Sequence, residues 1–163
     1  MGKLSGRCGE HLVCAELLRE EIIATTFSGH MPHFDILTPR HKIQVKTTTK
    51  TGKQDETWSM DAKEYLIFDD ELFNNKGKQK IVGKKKLDEN IIFVFVLLGN
   101  EYGEDRFFIL DVTEVQDKIH ARYMGHCKEE YEGCKVRTRK SFYANIHLSQ
   151  IVTYENKWEI LKT

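Results

Sequence analysis

Residues 33–49, HFDILTPRHKIQVKTTT, decide how the rest of the chain is read. HFDIL and KIQVKTTT alternate apolar and polar side chains with the period of two that half-buried strands show. Thr38-Pro39-Arg40-His41 between them has turn composition. If those four residues close an antiparallel hairpin, Leu37 faces Lys42 and Asp35 faces Gln44, with opposed Cβ atoms about 5 Å apart. Lys46, two positions beyond Gln44, projects from the same face. Ile43 and Val45 then turn to the core with Phe34 and Ile36, and Asp35, Gln44 and Lys46 converge.

That convergence has a chemistry. A carboxylate and an amide oxygen can share a hard cation such as Mg²⁺, which takes one or two carboxylates and keeps several waters. A lysine beside it can orient or deprotonate a water, or stabilise charge on a phosphate. The bland alternative is a pair of ordinary surface strands. Upstream, residues 5–24 read as a helix with Ser5 as N-cap and Val13, Cys14, Leu17 and Leu18 as one apolar stripe. Glu10 falls within that stripe, where a carboxylate must be paired, protonated or bound to a cation. Pairing with Arg7 or a distant lysine is the structural alternative.

β-branched residues follow at 22–27, and Ser28-Gly29 reads as a turn. SMDAKEYLIF suggests a short helix begun by Ser59 or Asp61, and the lysine-rich stretch after it a loop or an edge hairpin. IIFVFVLL, 91–98, is a buried strand, and the break at Gly99–Gly103 makes RFFILDV its hairpin partner. A helix is expected near 113–125, and the tail closes on the core through Trp158 and Leu161. Trp58 and Tyr65 suit core packing or base stacking.

The 163 residues allow one domain spanning 1–163 with a real core, and they contain no repeat or linker. The longest apolar run is too short to cross a bilayer and the N-terminus lacks a secretory signal, so no membrane partner and a cytoplasmic setting are expected. The four cysteines show no CxxC spacing. His126-Cys127 with Cys134 is a weak metal hint. Lysine plus arginine equals aspartate plus glutamate, 25 each, so any attraction to an anionic partner must be local. NKGKQKIVGKKK (75–86) holds six lysines and no acid, and KVRTRK (135–140) is also basic.

Glu10 on a first helix, Asp35 at the end of one strand and Gln44-Val45-Lys46 on the next resemble the PD-(D/E)XK nuclease superfamily. The likeness is to its small restriction-like and homing-endonuclease-like members, in which glutamine replaces the second acid. The specific part covers residues 6–48. The resemblance implies an α/β (α+β) fold, a mixed central β-sheet flanked by helices with a restriction-endonuclease-like αβββαβ core, and metal-dependent hydrolysis of DNA phosphodiester bonds. It implies that Asp35 and Gln44 ligate Mg²⁺ (or Mn²⁺), that Val45 offers its carbonyl, that Lys46 assists the water, and that Glu10 completes the site. Phe34 stands where the motif has proline, which has no chemical role. Gln44 removes one negative charge and should weaken cation binding.

DNA is the partner this implies, with Lys76, Lys78, Lys80, Lys84, Lys85, Lys86, Arg137, Arg139 and Lys140 holding backbone phosphates. A homodimer or higher homo-oligomer would make a double-strand cut easier. Two other readings compete: a catalytically inactive nuclease fold that binds nucleic acid or regulates, and an unrelated α/β scaffold whose basic loops bind an acidic protein.

Overall fold

The computed structural model describes residues 2–27, 33–52 and 55–163, without the side chains of residues 2 and 3. The expected turn at Ser28-Gly29 lies outside the described residues. The elements run α1 (Gly2–Arg19), β1 (Thr25–Thr26), β2 (Ile36–Leu37), β3 (Lys42–Thr49), β4 (Thr57–Asp61), β5 (Leu66–Phe68), α2 (Asp70–Lys76), β6 (Lys78–Gln79) and β7 (Ile81–Lys84). They continue through β8 (Ile91–Leu98), β9 (Arg106–Asp111), α3 (Val112–His126), β10 (Glu129–Tyr131), β11 (Cys134–Thr138), β12 (Tyr143–His147) and α4 (Leu148–Ile151). The result is a mixed α/β fold with a mixed central sheet and flanking helices, as the sequence implies.

The chain forms two units, one from residues 1–58, 88–112 and 147–163, the other from 59–87 and 113–146. The first holds a five-stranded sheet in the order β1-β2-β3-β8-β9. β3 and β8 are parallel and the other pairs antiparallel. Parallel neighbours need a long crossover, and residues 50–90 supply it. β8 reads as an unbroken apolar run because it is central, with β3 on one side and β9 on the other, and both its faces are covered. Val13 and Leu17 of α1 pack with Ile36, Ile43, Val45, Ile92, Val94, Val96 and Ile109, and Trp158 and Leu161 close the same cluster as expected.

Helix α1 starts and stops earlier than the sequence suggests. It begins at Gly2, so Ser5 is inside it and not its cap. It ends where Glu21 takes a left-handed conformation (φ 62°), with Ile22 N–H bonded to the Leu17 carbonyl and Glu21 N–H to that of Leu18. That pair of bonds is a Schellman ending, which residue patterns without glycine do not announce. Leu18 leaves the expected stripe and is exposed, because the buried face runs through Gly9, Val13 and Leu17.

The second unit differs most from expectation. The segment expected to be a short helix is mainly strand: β4 alternates buried Trp58 and Met60 with exposed Ser59, then a single 3-10 turn, Ala62–Glu64, is capped by Asp61. The lysine-rich stretch is an ordered helix end and two strands, with Gly77 (φ 66°) capping α2, β6 pairing with β11 and β7 with β5. In α3, Val115, Ile119 and Tyr123 are fully buried at helical spacing.

Candidate active site

The hairpin register is the expected one. Leu37 pairs with Lys42 and Ile36 with Ile43, and the ladder stops there, short of Asp35 and Gln44. The loop is held by Thr38 N–H on the His41 carbonyl (2.9 Å) and by His41 N–H on Thr38 Oγ1 (2.9 Å). Ile36, Ile43 and Val45 are buried, while Gln44 and Lys46 are half-buried on the opposite face.

Asp35 and Gln44 meet. The Gln44 amide donates from Nε2 to Asp35 Oδ2 at 2.6 Å, and the Val45 backbone N–H donates to the same oxygen at 2.7 Å. Asp35 N–H in turn bonds to the Ile43 carbonyl at 2.8 Å. The N–H and C=O of one strand residue point to the same side. The Val45 carbonyl therefore faces the edge of β3 on which Asp35 lies, beyond the two-residue ladder with β2. A carboxylate, an amide and a backbone carbonyl thus share one corner where β2 leaves β3. The Gln44 amide oxygen sits on the same carbon as the nitrogen that meets Asp35, so a turn of the amide presents it to that corner. Oxygen donors of this kind suit a small hard cation.

Lys46 shares the Gln44 face by strand alternation. Its register partner on β8 is Phe95, and that of Gln44 is Phe93, so an aromatic floor lies beside both. Glu10 comes from α1, which packs on the other face of β3. The approach there is unusually close. A Cβ at Gly9 would overlap Thr47 Oγ1 and come within 3.1 Å of Thr47 Cβ and Cγ2. Glu10 follows Gly9 in α1 and Lys46 precedes Thr47 in β3, with Lys46 on the face of β3 that α1 does not cover. Glu10 is half-buried, flanking the core face and not in the middle of it.

Among the residues assigned to phosphate contacts, Lys76, Lys84, Lys85, Lys86, Arg139 and Lys140 are exposed. Lys78 and Lys80 are half-buried. Lys78 pairs with Glu129 (3.0 Å) and Lys84 with Asp117. Arg137 is buried, its guanidinium 4.9 Å from the ring centre of Tyr123. Trp58 is buried with its Nε1 on the Val96 carbonyl (3.1 Å), and Tyr65 is buried too, which makes both core residues. His11 and His33 are exposed, whereas both ring nitrogens of His41 are enclosed without a hydrogen-bond partner. The described residues contain no group of three or more His, Cys, Asp or Glu placed to hold a metal, so His126, Cys127 and Cys134 do not assemble one.

One cluster, around Asp55, has no sign in the sequence. Asp55 accepts from Ser149 N–H (3.0 Å) and Ser149 Oγ (2.9 Å) and meets His147 Nδ1 at 3.0 Å. Its partners lie more than 90 residues away, and no local motif points to them.

No known family matches the sequence, and no curated protein matches it. Among solved structures, the fold is similar to that of a bacterial homing endonuclease, I-Ssp6803I, with a TM-score of 0.54 and 15% identity over 98% of this chain and 91% of that one. The fold is nuclease-like, and no helix among the described residues is long and apolar enough to cross a membrane.

Proposed function

We propose that this protein is a metal-dependent endonuclease of the PD-(D/E)XK type that hydrolyses DNA phosphodiester bonds. The observation that carries the reading is the corner itself: Asp35, Gln44 and the Val45 backbone joined at 2.6 and 2.7 Å where β2 leaves β3. The likeness to a homing endonuclease supports the reading at the level of fold.

Asp35, the Gln44 side-chain oxygen and the Val45 carbonyl would hold Mg²⁺ or Mn²⁺, with Glu10 completing the site. A bound ion of this kind polarises phosphate oxygens and lowers the pKa of a water. Asp35 is pre-positioned for such a task, since its carboxylate is fixed by two donors and loses little freedom on binding. Lys46 orients the attacking water and offers positive charge to the phosphate as charge builds there. The water oxygen bonds to phosphorus, one P–O bond to a sugar breaks, and the leaving oxygen takes up a proton. The exposed lysines of 76–86 with Arg139 and Lys140 hold backbone phosphates, which positions DNA without reading its sequence. Cutting both strands would call on a second copy of the chain, each bringing one site.

One observation favours the alternative, a nuclease fold that binds DNA without cutting it. Gln44 turns its amide nitrogen, not its oxygen, toward Asp35, so that Asp35 Oδ2 is met by a side-chain donor in the place of a cation. Incubation with plasmid and single-stranded DNA, with Mg²⁺ or Mn²⁺ and then with chelator, separates the two. Cleavage lost in Asp35→Ala and Lys46→Ala supports the enzyme. DNA retention without cleavage, unchanged in Asp35→Ala, supports the alternative.

A further inference from the structure

Around Arg139 the second unit carries a concentration of positive charge to which the proposed reaction gives no other role. Arg122 and His126 lie four residues apart on α3 and so share one face. Lys128 follows the helix, its N–H on the His126 carbonyl at 3.1 Å. Arg137 lies on β11 and Arg139 one residue past its end. The Arg137 side chain meets α3, its guanidinium 4.9 Å from the ring centre of Tyr123, the neighbour of Arg122.

Two observations point to a ligand. Arg137 is only 6% exposed, yet its Nη1 has no hydrogen-bond partner. A buried guanidinium nitrogen with nothing to donate to is costly, and an anion would satisfy it. In addition, burial and then the charges of Arg122, Arg137, Arg139 and Lys128 hold the His126 imidazole below its usual pKa. The carboxylate nearest in sequence, Glu129, is engaged by Lys78 Nζ (3.0 Å) and Thr138 Oγ1 (2.9 Å).

We propose that Arg122, His126, Lys128, Arg137 and Arg139 form a phosphate-binding site, and that the phosphate it takes belongs to a DNA backbone. The choice of DNA as the source rests on the proposed function; the oxyanion chemistry does not. A phosphate here gives Arg137 Nη1 an acceptor and offsets the mutual repulsion of the cations. It also favours imidazolium at His126, so binding takes up a proton and strengthens as pH falls through the His126 pKa. Arginine forks match phosphate oxygens in geometry as well as charge.

The test follows the His126 ring by nuclear magnetic resonance in the full chain, assigned with His126→Gln. Inorganic phosphate is added first, then a short DNA duplex in chelator so that nothing is cut. Phosphate raises the His126 pKa, and the duplex does so at much lower concentration. Arg139→Gln, at an exposed position, reduces the slope of log binding constant against log salt by about 1. A His126 pKa moved by neither ligand overturns the site. A response to phosphate alone, or to a phosphopeptide but not the duplex, overturns DNA as its ligand. Cleavage assays on the same protein keep the two ideas apart: cutting with a silent His126 rejects this site alone, and a responding His126 without cutting rejects the nuclease alone.

Discussion

A methyl group at position 9 should push α1 away from β3 and carry Glu10 with it. In a helix interior, alanine is better than glycine by about 1 kcal/mol. Without a clash, Gly9→Ala would therefore stabilise the protein. The new Cβ instead overlaps Thr47 Oγ1, and rotating Thr47 gives no escape because Cγ2 already lies within 3.1 Å of the same point. Overpacking at such a site costs about 3 kcal/mol, the upper end of its usual range. The net expectation is a loss of about 2 kcal/mol, read as a lower urea midpoint. Thr47→Ala removes Oγ1 and Cγ2 together and leaves only the Cβ contact at 3.1 Å, which a small shift relieves. The double variant should recover most of the loss, a coupling of about 2 kcal/mol. If Glu10 serves the site, a helix displaced by about 1 Å lowers cleavage roughly a hundredfold at temperatures where the variant is folded. Thr47→Ala in the same chain should restore it. A Gly9→Ala protein that is more stable than the parent, or a double variant that recovers nothing, refutes the packing argument.

Other outcomes follow from single bonds. Asp35→Ala leaves Val45 N–H and Gln44 Nε2 without their acceptor and should cost about 1–3 kcal/mol as well as cleavage, whereas Asp35→Asn keeps an oxygen there and loses cleavage with less instability; denaturation and plasmid assays on the pair check this. Arg106 grips Glu155 through two bonds of 2.7 Å and holds its carboxyl below the ordinary range. That stabilisation is complete above the unfolded glutamate pKa of about 4.3 and fades as pH falls through the lower folded value. Glu155→Gln should flatten stability against pH in that acid window, and an unchanged slope would contradict it. Tyr123→Phe removes the donor to Gln79 Oε1 and should cost about 1–3 kcal/mol in thermal unfolding.

The strand pair at 33–49 was legible because one face of it is buried: a slip of one residue would send Ile43 and Val45 to solvent, so alternation fixes the register and with it the meeting of Asp35 and Gln44. β8 and β9 were legible for a similar reason, since their apolar runs can serve only as core strands. Glu10 was visible as a carboxylate among apolar neighbours, but its placement depends on Gly9 against Thr47, a contact that glycine's missing side chain cannot signal by periodicity. The second unit was the least legible. Its strands are short, and their pairs, such as Arg137 with Gln79, join residues far apart in sequence. Arg137 reads as a surface cation in KVRTRK, yet it is buried, with Tyr123 brought against it from α3.

Asp35, Gln44 and Val45 are proposed to hold the metal ion of a DNA endonuclease. Titration of isotopically labelled protein with Mn²⁺, followed by nuclear magnetic resonance, tests it most directly. The Val45 amide and Gln44 side-chain signals should broaden first, Asp35→Ala should abolish the effect, and cleavage should appear over the same concentrations. Signals at Gln44 and Val45 that stay sharp while Mn²⁺-dependent cleavage proceeds would contradict it.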